Sequence, residues 1–179
     1  MARSPFLVGV ANLADTGPRR EHRSGPIGGL AVSASAVPAG AEVEVDALLE
    51  PVSGGVMVTA TVIAPWRGEC RRCLREASGT LRAWERELYE VGSDGEESYP
   101  LNGDQLDLEP LARDAVLLEL PLAPLCSEEC QGLCPRCGAV RNEGPCGCPE
   151  APADPRWAVL DVLRPASPEG PDSPDRIDQ

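Results

Sequence analysis

The run Glu42-Val43-Glu44-Val45-Asp46-Ala47-Leu48-Leu49 decides the fold class together with Val56-Met57-Val58-Thr59-Ala60-Thr61-Val62-Ile63-Ala64. In the first, Val43, Val45, Ala47 and Leu49 alternate with Glu42, Glu44 and Asp46. A period of two puts apolar side chains on one face and charges on the other, as a half-solvated antiparallel strand requires. The second run alternates in the same way and is dominated by β-branched residues. Pro51-Val52-Ser53-Gly54-Gly55 between them reads as a turn, so the two strands form a hairpin.

On the N-terminal side of the hairpin, residues 6–14 read as an opening strand, 17–26 as a polar loop and 30–37 as another strand. On the C-terminal side, residues 77–91 are ambiguous. Ala77, Leu81, Trp84, Leu88 and Val91 fall at helical spacing, while Ala77, Gly79, Leu81 and Ala83 also alternate. Residues 92–103 form an acidic, Gly-containing loop. Asp107-Leu108-Glu109-Pro110 then opens a helix, with Asp107 as cap and an acid and a Pro in the first turn, where the helix dipole favours them. Leu111, Ala115, Val116, Leu117, Leu118 and Leu120 surround that helix with apolar side chains, which predicts burial, and Pro121 ends it. Asp154-Pro155-Arg156-Trp157 repeats the cap-plus-Pro start for a short helix through Leu163.

These elements predict an α+β fold in which an antiparallel β-rich part carries a buried helix and a Cys-rich C-terminal segment is stapled by zinc. The expected organisation is a β-rich domain over 1–125, a Cys-rich zinc-binding segment with its short helix over 126–164, and an acidic tail over 165–179. The tail holds four Pro, four acids and one Arg and has almost nothing to bury, which is a disordered composition.

The chain has 179 residues, with 16 basic and 29 acidic side chains and a formal charge of −13. Every basic residue is Arg. The first ninety residues hold ten Arg against eleven acids, a net −1, and the remainder six against eighteen, a net −12. Such a charge excludes wholesale electrostatic binding of RNA or anionic membranes, because the long-range field repels phosphates. No run approaches the ~18–20 apolar residues of a membrane span. The N-terminus has a single Arg before an interrupted apolar run and no convincing cleavage site, so a cytoplasmic location is expected.

In that compartment thiols stay reduced, and paired Cys residues more often hold metal than form disulfides. The eight Cys are spaced Cys70-x2-Cys73, Cys126-x3-Cys130-x3-Cys134-x2-Cys137 and Cys146-x-Cys148. Cys134-Pro-Arg-Cys137-Gly138 is a zinc-knuckle turn, and a C-x2-C turn supplies two ligands at the bite a tetrahedral Zn²⁺ requires. Cys146 and Cys148 are the nearest pair that closes this site. Cys70, Cys73, Cys126 and Cys130 then make a second set of four, giving two zinc ions. Crossed pairing, a single metal with spare thiols and an iron–sulfur cluster remain as alternatives, as does a thiol–disulfide oxidoreductase or metal carrier using the Cys pairs.

Four thiolates around Zn²⁺ carry a formal −2. Arg67, Arg71, Arg72 and Arg75 beside the first pair, and Arg136 and Arg141 beside the knuckle, are read first as compensating that charge. The competing role for the first four is contact with RNA phosphates, which suits planar guanidinium groups. Arg19, Arg20 and Arg23 have no thiolates in their own segment and are the better nucleic-acid candidates, although a solvated loop is the reading preferred for them. No catalytic residue stands out. His22 is the only histidine and lies in a polar loop, so no Ser/His/Asp or Cys/His arrangement has a convincing base. A closed four-thiolate site also leaves no coordination position for water.

Taken in order, Gly68-Glu69-Cys70-Arg71-Arg72-Cys73-Leu74, the stretch from Asp107 through Asp114 and Pro121 to Cys126, Gly132-Leu133-Cys134-Pro135-Arg136-Cys137-Gly138, Cys146-Gly147-Cys148 and Asp154-Pro155-Arg156-Trp157 resemble the YceD-like family of large-ribosomal-RNA-subunit accumulation proteins. The likeness covers roughly residues 3–164, in the form resembling actinobacterial members. It implies a non-enzymatic role in accumulation of 23S ribosomal RNA and assembly of the large subunit. The implied partner is a precursor of that RNA or a basic ribosomal protein, with no membrane partner and the oligomeric state left open. It further implies a β-rich N-terminal part, which tips residues 77–89 towards strand. Relatives that keep the first C-x2-C but lack the distal knuckle support the four-plus-four partition. The chain departs from the family in lacking Lys, and no catalytic residue carries over.

Overall fold

In the computed structural model, residues 4–95 and 97–149 are described, with Arg156 and Leu160 beyond them. Apart from those two residues, the helix expected at 154–163 and the tail at 165–179 lie outside the described residues.

The alternating runs pair as expected and extend further than the apolar pattern alone indicates. β4 (Glu42–Val52) and β5 (Gly55–Glu69) are antiparallel, in a register running from Glu44↔Ile63 to Val52↔Gly55. Pairing therefore continues through Pro51 and Val52, and only Ser53 and Gly54 form the turn, with Gly54 at φ 89°. β6 (Glu76–Glu90) pairs with β5 along its whole length, from Gly55↔Glu90 to Glu69↔Glu76. The ambiguity at 77–91 thus resolves as strand. Fifteen residues of ladder satisfy the backbone groups of β6 against β5, a stronger constraint than the helical spacing of a few apolar residues.

The larger sheet has the order β2 (Arg19–Pro26), β4, β5, β6 and β7 (Tyr99–Pro100), and β3 (Ser35–Ala36) adds to β5. A small second sheet pairs β1 (Leu7–Gly9) with β8 (Gln105–Asp107). Three expectations are corrected. The opening strand covers only β1, after which the chain turns into the short helix α1 (Leu13–Thr16). Of residues 30–37, only Ser35 and Ala36 are strand, with an isolated bridge between Ala31 and Ala36. Most of the polar loop is β2, which pairs with β4 from Arg19↔Leu49 to Pro26↔Glu42. It lacks an apolar stripe because its core-side positions hold Arg19, Glu21 and Arg23, with both guanidinium groups paired to the one carboxylate. Arg19 lies 2.8 Å and Arg23 2.7 Å from the Glu21 carboxylate. Their guanidinium groups also donate to the Gly9 and Leu7 carbonyls of β1.

One face of the sheet makes the core. Val43, Val45, Ala47 and Leu49 of β4 and Val56, Val58, Ala60, Val62 and Ala64 of β5 are all buried. Helix α2 (Glu109–Glu119) lies against this face through Leu111, Ala112, Ala115 and Val116. At about 25 cal/mol per Å² of apolar surface, many small aliphatic residues replace the contribution that aromatics make elsewhere. Phe6 and Tyr89 are the two large rings fully buried. Tyr89 donates to the Asp107 carbonyl at 3.1 Å and stacks on Tyr99 with ring centroids 5.2 Å apart.

The helix is buried along one side only, contrary to the all-round burial expected. Leu118 is 80% exposed, because α2 has the sheet on one side and, among the described residues, no second layer on the other. Its start also shifts by one residue. Leu108 occupies the cap position, while the Asp107 carboxylate accepts from the Glu109 backbone N–H at 3.0 Å.

Candidate metal centres

The hairpin between β5 and β6 closes over a Cys-x2-Cys turn. Glu69↔Glu76 is its last strand pair, and the Cys70 N–H donates to the Arg75 carbonyl at 2.7 Å. The Leu74 N–H returns to the Cys70 carbonyl at 2.8 Å. Leu74 takes φ 61°, the left-handed conformation that swings the chain back into β6.

The same local structure recurs at the second turn. The Cys134 N–H donates to the Ala139 carbonyl at 2.8 Å, and the Gly138 N–H to the Cys134 carbonyl at 2.9 Å. Gly138 takes φ 73° where the first turn has Leu74. Two sequence-distant Cys pairs are thus presented by one backbone motif, in which amides surround the first sulfur.

Each turn is completed by a second pair. Cys70, Cys73, Cys126 and Cys130 form one group of four, and Cys134, Cys137, Cys146 and Cys148 form the other, with the sulfurs of each group all within 4.8 Å of one another. This is the four-plus-four partition read from the spacings, and crossed pairing is not what the fold brings together. In the first group the Cys70 and Cys130 sulfurs are 3.8 Å apart and those of Cys73 and Cys126 are 3.5 Å apart. All eight are free thiols. A tetrahedron with metal–sulfur bonds of about 2.3 Å has sulfurs about 3.8 Å apart, so the donor set fits one four-coordinate ion. A multi-iron cluster places bridging sulfides and several irons between its ligands and needs a wider spread.

The electrostatics suit a cation. Burial opposes ionisation of Cys70, but backbone amides of Cys126, Cys73 and Arg72 aimed at its sulfur outweigh burial and bring the thiol down to about 6. At Cys134 the amides of Cys137 and Arg136 lead, with the Cys146 thiol, and the result is again about 6. Cys126 moves the other way, to about 12, chiefly because the Cys73 and Cys130 sulfurs share its proton. Cys148 is also held at about 12, by Cys137 and Cys146. Each tetrad therefore pairs an easily ionised thiol with one that keeps its proton until a cation displaces it.

The first tetrad lies against the sheet and the second projects from it. Cys70, Cys73 and Cys130 are buried with Ala77, whereas Cys137 and Cys146 are exposed. Contacts from the Cys-rich segment fasten it to the β5–β6 turn. The Arg71 N–H donates to the Pro124 carbonyl at 2.9 Å. The Arg72 guanidinium donates to the carbonyls of Cys130 and Glu128 at 2.9 and 3.1 Å. Gly132 passes so close to this turn that a Cβ would lie 3.0 Å from the Arg72 carbonyl oxygen, at φ 74°.

A 3₁₀ turn, Arg141–Glu143, lies in sequence between the two halves of the second tetrad but serves the first. The Asn142 side-chain amide donates to the Cys130 sulfur at 3.3 Å and reaches that of Cys126 at 3.9 Å. Its carbonyl oxygen accepts from the Gln131 N–H at 2.7 Å. Glu143 pairs with Arg75 at 3.1 Å. Asn142 was not legible beforehand, since an isolated Asn carries no ligand spacing. Leu74 was likewise hidden, because Leu is a poor signal for a left-handed turn.

The Arg candidates divide. Arg72 and Arg75 are committed to the carbonyls and carboxylate just named, and Arg19 and Arg23 to Glu21 and β1. Arg20 points to the opposite face of β2, so the Arg19, Arg20, Arg23 group does not share one surface. The Arg67 and Arg71 side chains are exposed, and their guanidinium groups have no partner among the described residues. His22 pairs with Asp46 at 2.8 Å on an exposed strand surface.

An antiparallel sheet whose central hairpin loop supplies half of one tetracysteine site, with a second such site in the segment that completes it, defines a small α+β protein with two candidate metal centres. Residues 58–164 match the family model described as large ribosomal RNA subunit accumulation protein YceD, and the chain belongs to that family. An uncharacterised protein of Mycobacterium tuberculosis is 39% identical over 140 residues, covering 74% of this chain and 67% of its own length. One of Mycobacterium leprae is 36% identical over 138 residues, covering 73% and 63%. The chloroplastic large ribosomal RNA subunit accumulation protein YCED homolog 1 of Arabidopsis thaliana is 32% identical over 66 residues, 37% of this chain and 21% of its own. No solved structure matches. Among the described residues, no helix is long and apolar enough to cross a membrane.

Proposed function

We propose that this protein is a non-enzymatic, cytoplasmic factor of large-subunit assembly that supports accumulation of 23S ribosomal RNA and carries two structural zinc ions. Membership of the YceD family is the observation that carries the ribosomal part of this reading. The two tetrads support the structural part, since four sulfurs close the coordination sphere and leave no position for a reacting water. The Cys134, Cys137, Cys146, Cys148 ion would fold the 132–149 loop. The Cys70, Cys73, Cys126, Cys130 ion would pin that segment to the β5–β6 turn. The near-neutral first half and the acidic second half suit contact with a subunit precursor on one side and a basic ribosomal protein on the other.

Crosslinking in cells, with sequencing of bound RNA and mass spectrometry of bound protein, tests the reading alongside 23S-to-16S RNA ratios in a depleted strain. Recovery of large-subunit precursor components and a fallen ratio are expected. An unchanged ratio with no ribosomal component recovered overturns the assignment. A coloured protein under anaerobic conditions, or a reversible disulfide with no bound zinc, would favour an iron–sulfur or oxidoreductase role instead.

A further inference from the structure

The outer face of β5 and β6 differs from the rest of this acidic molecule. The register pairs Thr59 with Arg86, Thr61 with Trp84, Ile63 with Arg82 and Arg67 with Ser78, all opposite to the core side. Between Met57 and Arg67 on β5, and between Ser78 and Leu88 on β6, no outward position holds a carboxylate. Three hold Arg, in a chain with 29 acids. Arg67, Arg82 and Arg86 are exposed, and their guanidinium groups have no ion pair or hydrogen bond among the described residues. Trp84 stands between Arg82 and Arg86 with 65% of its surface exposed. A ring left in water between two unpaired guanidinium groups contributes little to the fold, and it suits a ligand that is both flat and anionic.

We propose that this face binds single-stranded RNA, with a base stacked on Trp84 and the flanking phosphates held by Arg82, Arg86 and Arg67. Stacking on an exposed strand aromatic combined with Arg contacts to the backbone is a chemistry that tolerates any base sequence. Strand residues rise about 3.4 Å each, so the stripe from Arg67 and Ser78 to Arg86 runs about 27 Å, long enough for several nucleotides. Glu44, Asp46 and Glu50 on the outward side of β4 confine the strand to the β5–β6 side. Acids on the far side of the molecule are screened beyond about 8–10 Å at physiological salt, which removes the objection raised by the net charge. A duplex fits poorly, because its bases are already stacked and present no free ring to Trp84. This deepens the assembly-factor reading by giving RNA contact to one face.

The test is fluorescence anisotropy of a labelled single-stranded RNA of about 12 nucleotides, within the usual site sizes, titrated with the full metal-loaded chain and compared with duplex RNA. The variants are Trp84→Ala, Trp84→Phe, Arg82→Glu with Arg86→Glu, and the control Arg113→Gln on α2, which lies on the opposite side of the sheet. Binding to the single strand is expected, with a log–log salt slope of about −2 for three phosphate contacts. Trp84→Ala should weaken it roughly ten-fold or more while Trp84→Phe restores most of it. The double Arg variant should abolish it, and Arg113→Gln should leave it unchanged. Absence of binding in low salt, equal binding by Trp84→Ala, or a ribosomal protein as the ligand lost with Trp84 would each overturn the proposal. If Trp84→Ala loses RNA binding in vitro yet restores the 23S RNA ratio in a depleted strain, the face is not the cellular RNA contact and the assembly role stands. If depletion leaves that ratio unchanged, the assembly role fails whatever the oligonucleotide does.

Discussion

Asn142→Ala should loosen one metal centre and spare the other, although Asn142 sits within the sequence of the centre that is spared. The residue lies between Cys137 and Cys146 but donates to the sulfurs of Cys130 and Cys126 at 3.3 and 3.9 Å, and to no cysteine of its own tetrad. Substituting a group that hydrogen-bonds a metal ligand typically costs 10–100-fold in affinity. Only the 3.3 Å contact is a full hydrogen bond to sulfur, so the lower part of that range applies, about 10–30-fold. Exposure lets water replace the lost acceptor of the Gln131 N–H, and no further penalty is expected there. Asn142→Asp keeps that acceptor but sets a carboxylate beside the thiolates, and the loss should approach 100-fold. The assay is transfer of zinc from the full chain to a chromophoric chelator. Its two phases are assigned by Cys137→Ser, which disables the second tetrad, and Cys73→Ser, which disables the first. Only the first-tetrad phase should accelerate. Equal acceleration of both phases, or of neither, would refute a specific link between Asn142 and the first tetrad.

Three further outcomes are expected. Leu74→Gly should stabilise the metal-loaded protein by about 0.5–1 kcal/mol in denaturant unfolding, because relief of left-handed strain exceeds the added chain entropy of Gly and Leu74 is already 58% exposed. Gly132→Ala should destabilise by about 1–2 kcal/mol or more, since it combines φ 74° with an approach of 3.0 Å to the Arg72 carbonyl, and zinc release from the first tetrad should quicken with it. The Glu85 carboxyl is raised above the usual carboxylate range, first by burial and then by Glu87, Glu119 and Asp114. A raised pKa means that stability falls as pH rises through it. Glu85→Gln should therefore raise the melting temperature slightly at pH 7, by well under about 1 kcal/mol after solvent screening, and the gain should vanish at pH 4.

The paired cysteines and the alternating β4 and β5 runs were readable because each has a spacing imposed by its chemistry, four sulfurs around an ion and one face against a core. β2 was not readable, since its core-side positions are Arg19, Glu21 and Arg23, and their ion pairs with one another and hydrogen bonds to the β1 carbonyls leave no apolar period to detect. The 77–91 stretch carried both periods. Only its pairing with β5 decides between them, and that pairing turns Trp84 from an apparent core position into an exposed one. Half of the surface of α2 misled in the opposite sense, since Leu118 belongs to an apolar run but faces away from the sheet. Asn142 and Leu74 act through hydrogen-bond direction and a single backbone dihedral, which no residue spacing encodes.

Two sets of four thiolates should each hold one structural zinc ion. Native mass spectrometry of the full chain, purified without added metal, tests it most directly. The expected result is two zinc ions per chain, falling to one in Cys137→Ser and to one in Cys73→Ser, with all remaining thiols reduced. A metal-free chain carrying disulfides, or a mass matching an iron–sulfur cluster, would contradict it.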